Sequence, residues 1–168
     1  TIRRLHQAGQ VRRALTYGET PVFTTAWLLR QAGVGPQSYV MDLAAGRGRA
    51  LIGARSLGAR AAGFEIAGEH VQAAAEILSS VGIELRQEDG ATVDLAGASH
   101  IYVAWSHFAP NTTARFVVHF EGTAVGTRFV TVGAPIEHEA FPQLSAHNVL
   151  FTWGTATAFV HEHRPPKA

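Results

Sequence analysis

A single α/β domain, built on a Rossmann-like seven-stranded, mostly parallel sheet with a C-terminal antiparallel hairpin and helices on both faces, is the fold the sequence predicts. Three observations predict it. Short apolar runs alternate with segments of helical periodicity between Thr20 and Val132, glycines stand where those helices should stop, and the last β-rich stretch is broken once, around Gly154. Alternation of this kind implies βαβ units and a parallel sheet covered on both sides. The right-handed crossover rule then restricts the topology.

Taken in order, residues 1–16 have weak patterning and read as an arm or loosely attached helix, 17–164 as the domain, and 165–168 as a flexible tail. The stretch "TPVFTTAWLLRQAG" predicts a helix, with Thr20 as N-cap, Pro21 at the first helical position and Gly33 as the stop. Phe23, Trp27 and Arg30 share one of its faces. An apolar run Tyr39 to Leu43 follows, then a helix from about Arg47 to Leu57, a run Ala61 to Ile66, and a helix Gly68 to Val81 carrying Val71, Ala75 and Leu78 at helical spacing. Ile83 to Glu88 alternates like a strand, His100 to Trp105 reads as a buried strand, Pro110 opens a helix to about Glu121, and Thr127 to Val132 is the next strand. "NVLFTWGTATAFVHEH" reads as a hairpin, which brings antiparallel pairing into the sheet.

Composition excludes several classes of function. The chain has 168 residues, a formal charge of +1 and no cysteine, so disulfides, zinc ribbons and thiol nucleophiles are all ruled out. Basic residues cluster only at Arg3, Arg4, Arg12 and Arg13, which gives no strong nucleic-acid signal. No apolar run approaches the roughly 20 residues that cross a bilayer, and the first residues lack a signal-peptide core, so the expected setting is the cytoplasm with no membrane partner. Nine histidines raise the question of a metal, yet "HEH" at His161 to His163 has no third ligand at a telling spacing, and no metal is expected.

The chemistry is concentrated at "YVMDLAAGRGRALIGA", Tyr39 to Ala54. In an open parallel sheet, ligands gather beyond the carboxyl ends of the strands, where the first strand hands over to its helix. Gly46 and Gly48 occupy that place, letting the backbone bend sharply beside the helix's first amides. Glu65 lies 23 residues after Asp42, at the end of the second strand, where a carboxylate can accept from both hydroxyls of a ribose. Asp89, in "QEDGA", ends the third strand and can accept from an adenine amino group. Arg47 and Arg49, flanking the turn, are expected to point to solvent. The Lys and Ser or Thr of a P-loop are missing, and a dinucleotide fingerprint would need a third glycine where this chain has Leu51.

Asp42, Ala44, Gly46 and Gly48 instead resemble the D-x-G-x-G-x-G signature of class I S-adenosylmethionine-dependent methyltransferases, with Ala44 in place of the first glycine. Adding "YGET", "GFEI", "SHIYVAWSHFAPN" and "FTWGTATAFVHEHR", the chain from Tyr17 to Arg164 resembles the non-SET protein lysine methyltransferases of the disruptor-of-telomeric-silencing type and their small prokaryotic relatives. The resemblance implies that Tyr17, Glu19 and Thr20 close over the methionine part of S-adenosylmethionine, which Asp42, Ala44, Gly46 and Gly48 also line. It further implies that Glu65 holds the ribose, that Asp89 and the Gly90 backbone meet the adenine, and that Ala104 to Phe108 border the acceptor channel. The lysine-modifying relatives carry asparagine and aromatic residues in that last stretch, where this chain has Ala104, Trp105, Ser106, His107 and Phe108.

Methyl transfer from a sulfonium is an in-line displacement governed mainly by positioning. Tyr17, Trp105, Phe108 and Trp153 are the expected apolar walls, and His107 a candidate proton acceptor. The implied acceptor is a protein lysine; a small molecule methylated on nitrogen or oxygen, or a cofactor-binding protein without catalysis, are the alternatives.

Overall fold

The computed structural model describes residues 19–152 and 154–165, so the predicted arm, Tyr17, Trp153 and most of the tail lie outside the described residues. The elements in chain order are α1 (Val22–Gln31), β1 (Tyr39–Asp42), α2 (Arg49–Ser56), β2 (Arg60–Glu65), α3 (Gly68–Ser80), β3 (Glu84–Gln87), β4 (His100–Ala104), α4 (Pro110–Phe120), β5 (Arg128–Val132), β6 (Gln143–Phe151) and β7 (Gly154–Glu162). They form one seven-stranded sheet in the order β3-β2-β1-β4-β5-β7-β6. Neighbours from β3 to β5 pair in parallel, with Asp42 level with Gly63 on β2 and with Tyr102 on β4. β7 is antiparallel to both β5 and β6. The predicted hairpin is present, and its first strand begins at Gln143, five residues ahead of the apolar run that revealed it, with a register irregularity between Gln143 and Ser145.

Alternation along the strands divides the core in two. On β1, Val40 joins a cluster with Leu28, Leu29, Leu51 and Leu78, whereas the next residue, Met41, joins Phe116, Phe120, Phe129 and Phe141 on the opposite side of the sheet. The second cluster is largely aromatic, with Phe120 at 4.8 Å from Phe129 and Phe129 edge-on to Phe141 at 5.1 Å between ring centroids.

α1 begins one residue later than the sequence suggested. Pro21 takes the cap position, and no side chain caps the helix. Thr20 is drawn elsewhere: its hydroxyl lies 2.9 Å from the Tyr102 phenol, a partner supplied by β4 rather than by the helix. α1 buries Thr24, Thr25, Leu28 and Leu29, so the face shared by Phe23, Trp27 and Arg30 is turned outward.

Candidate active site

Because β1, β2, β3 and β4 run in parallel, their carboxyl ends open on one side of the molecule. The order reverses at β1, where β2 lies on one flank and β4 on the other, the place where a crevice is expected. A cavity of about 410 Å³ lies there, bordered by Glu65, Ile66, Asp89, Gly90, Phe108 and Phe116 among others. Beside it a smaller lobe of about 40 Å³ is lined by Glu19, Thr20, Asp42, Gly46, Arg49 and Tyr102 among others. Ala44 and Ala104, at the ends of β1 and β4, border both and form the waist between them.

The turn after β1 is held by a carboxylate from the next strand. The Gly46 amide donates to Glu65 Oε2 at 2.7 Å and the Ala67 amide donates to Oε1 at 2.8 Å. Glu65 thus ties the turn after β1 to the turn after β2, while each oxygen keeps capacity for a second donor from the cavity. Gly46 and Gly48 have φ of 54° and 76°, the left-handed region that favours glycine. At Gly48 space is short as well, since a Cβ there would stand 2.5 Å from Leu78 Cδ1. Gly48 does not border either lobe and packs the turn against α3, whereas Gly46 lines the small lobe. At Gly90 a Cβ would overlap the Leu43 carbonyl oxygen, so this position brings the third strand's exit loop against β1.

Asp42 is 2% exposed, and its Oδ1 accepts the Ala44 amide at 3.2 Å. Burial pushes its carboxyl up to about 7; the Ala44 hydrogen bond opposes the shift and the negative charge of Glu65 adds to it. Across the strand pair, burial also raises the Tyr102 phenol well above its ordinary range, the bond to Thr20 opposing and the Asp42 charge adding. Asp89 behaves in the opposite way: the Ala91 amide at 3.0 Å and the Arg115 guanidinium at 2.9 Å hold its carboxyl below the usual carboxylate range.

Of the residues singled out from sequence, Glu19, Thr20, Asp42, Ala44, Gly46, Glu65, Asp89, Gly90, Ala104 and His107 meet around this crevice. His107 is exposed at the rim, between Ser106 and Phe108. Trp105 is placed elsewhere. Alternation on β4 sends Ile101, Val103 and Trp105 into the aromatic cluster, where the indole N–H donates to the Ala134 carbonyl at 2.8 Å and the ring stacks on Phe120. Trp105 is therefore a core residue, and the apolar wall of the large lobe comes from Phe108, Phe116 and Ile66. Arg47 and Arg49 are both exposed, as expected, and the Arg49 guanidinium in addition pairs with Glu19 at 2.6 Å beside the small lobe. Tyr102 was concealed in the sequence within an apolar strand. Its polar handle at the position level with Asp42 was the available signal. Among the described residues no group of three or more histidines and acids could hold a metal ion.

No protein-family model matches the chain, and no curated protein matches it in sequence. Solved structures do match in shape. An RNA methyltransferase from Salinibacter ruber, crystallised with S-adenosyl-L-homocysteine, superposes with a TM-score of 0.70 at 23% identity over 89% of this chain and 95% of that one. TrmN from Thermus thermophilus gives 0.69 at 18% identity over 83% of this chain, which spans 48% of that larger one. The N-methyltransferase NodS from Bradyrhizobium japonicum gives 0.67 at 13% identity over 85% and 94%. At these identities the likeness is one of fold, and the chain has the Rossmann-like architecture that these methyltransferases share.

Proposed function

We propose that the protein is an S-adenosylmethionine-dependent methyltransferase. The observation that carries this reading is the Glu65 carboxylate standing across the glycine turn at the sheet's switch point, with an apolar, acid-tipped cavity on one side and a charged lobe on the other. The fold's likeness to methyltransferases, one of them crystallised with S-adenosyl-L-homocysteine, supports it.

In this reading Glu65 accepts from the ribose hydroxyls. Asp89 and the Gly90 backbone meet the adenine, which Ile66 and Phe108 border. Asp42, Ala44, Gly46, Glu19 and Thr20 surround the amino-acid end, with Tyr17 as a further partner. S-adenosylmethionine supplies a methyl group on a sulfonium, a leaving group that needs no acid to activate it. The chain's contribution is positioning at the waist formed by Ala44 and Ala104. The resemblance seen in the sequence makes a protein lysine the first acceptor to test. Its ammonium has an ordinary pKa near 10.4, so deprotonation at neutral pH costs about 4 to 5 kcal/mol. Desolvation beside the positive sulfonium at the waist lowers that cost, and His107 at the rim takes the proton.

A second reading rests on Ala104. Its small side chain stands where the lysine-modifying proteins that the sequence resembles have asparagine, which favours a small-molecule nitrogen or oxygen acceptor; RNA belongs in the same comparison, since one of the structures similar in fold is an RNA methyltransferase. The test is incubation with methyl-labelled S-adenosylmethionine and cell extract, followed by fractionation. Label in protein hydrolysed to methyl-lysine supports the first acceptor, and label in small molecules or RNA replaces it. Tight binding with label nowhere points to a non-catalytic cofactor-binding protein. Glu65→Ala is expected to weaken S-adenosylhomocysteine binding by about 1.5 to 3 kcal/mol, the range for hydrogen bonds to a charged group. A folded Glu65→Ala protein with unchanged affinity, read by calorimetry, removes Glu65 from the site.

A further inference from the structure

We infer that Arg49 and Glu19 are a charge-matched mouth for an α-amino-carboxylate, Arg49 receiving the carboxylate and Glu19 the ammonium, with their mutual ion pair parting to admit it. This rests on the proposed function and assigns a binding role to a residue that the sequence motif left outside the site.

The two lobes of the crevice differ in chemistry. The large one joins apolar walls to Asp89 and Glu65, which suits a base and a sugar. The small one has Glu19, Asp42, Arg47 and Arg49 around it, with the hydroxyls of Thr20 and Tyr102, so acids and guanidinium groups line it together. A ligand with an ammonium and a carboxylate on one carbon fits that lining, whereas a plain alkyl chain does not. Arg49 is also the first residue of α2, where the helix dipole favours an anion.

Geometry makes Arg49 the part that moves. The lobe is small, about 40 Å³, and the Arg49 guanidinium already stands on the Glu19 carboxylate at its edge, so a ligand ammonium that takes Glu19 must replace the guanidinium there. The segment carrying Glu19 is pinned twice: the Thr152 hydroxyl donates to the Glu19 carbonyl at 2.8 Å, and Thr20 bonds Tyr102 at 2.9 Å. Arg49 has 47% of its side chain exposed against 16% for Glu19, and it has the longer, freer stem. An ion pair with one half-exposed member is weak, so parting it costs little, and the planar fork of guanidinium donors can then meet a ligand carboxylate.

The test compares two nucleosides by calorimetry on the full chain: S-adenosylhomocysteine, which has the aminobutanoate chain, and 5′-methylthioadenosine, which lacks it. Arg49→Gln is expected to weaken the first about tenfold or more and to leave the second within about twofold. Arg49→Lys, which keeps the charge without the fork and disturbs the fold least, is expected to fall between. An unchanged ratio of the two affinities in Arg49→Gln overturns the inference while leaving the proposed function standing. Wild-type protein that binds neither nucleoside overturns both.

Discussion

Two buried ionisable side chains, Asp42 and His161, show how differently the two halves of the sheet use polar groups. His161 on β7 is 1% exposed and has both ring nitrogens engaged: Nδ1 lies 2.9 Å from the Phe141 carbonyl, and the Ile136 amide donates to Nε2 at 3.1 Å. Burial holds its imidazole below the usual range, with the Phe141 bond opposing. Asp42 on β1 is as deeply placed, but it accepts the Ala44 amide at a long 3.2 Å and borders a lobe of the crevice. A buried group with its hydrogen-bonding capacity used by backbone is a strut. One with capacity turned toward a crevice is a candidate for ligand chemistry.

The largest expected effect is on the strut. His161→Ala leaves a buried amide and a buried carbonyl without partners and opens a cavity, and it should cost about 3 kcal/mol in urea denaturation. Affinity for S-adenosylhomocysteine per folded molecule should be unchanged; a parallel loss of affinity breaks the comparison. Asp42 should respond to pH. With a carboxyl near 7 in the folded chain and about 3.9 unfolded, the folded state binds the extra proton between those values. Stability should therefore fall as pH rises from 5 to 7.5, by about 2 to 3 kcal/mol from this group. His100 and His161, held below their ordinary range, act in the opposite sense below about pH 6.5, so the quantity to measure is wild type minus Asp42→Asn across that window. A flat difference means that Asp42 is ionised throughout and the contrast with His161 is smaller than drawn. The smallest effect belongs to Tyr102→Phe, which removes the tether to Thr20 and should cost about 1 kcal/mol of stability by thermal or chemical unfolding, since a hydroxyl pair is lost and its partner stays buried.

Most of the parallel half was legible in the sequence, because its strands other than the alternating β3 are apolar runs and its helices stop at glycine. Two features of the other half were not. β6 begins at Gln143 because β7 continues to pair with it; "QLSAH" alternates polar and apolar, but it is short, carries only Leu144 and Ala146 as apolar residues, and lies ahead of the β-rich run from which the hairpin was read. The hairpin itself was visible, but which of its strands would lie beside β5 is decided by packing across the sheet. At the crevice, Asp42 and Glu65 were readable as acids that end apolar runs, and Asp89 as the acid in the turn after the third strand. Trp105 was misread because a tryptophan beside the ligand-bearing strand end suits a wall as well as a core, and only the parity of β4 separates the two. Arg49 was passed over for the reverse reason: an arginine near a turn looks solvated until the fold brings Glu19 across from thirty residues earlier.

The strand order sets a schedule for self-assembly. β7 is synthesised after β6 yet lies inside it, so the outermost strand has no place on the sheet until its successor has left the ribosome and slotted against β5. β6 and β7 can zip together as a local hairpin, which then docks on the parallel half through β7, so the edge strand reaches the sheet only by way of its successor.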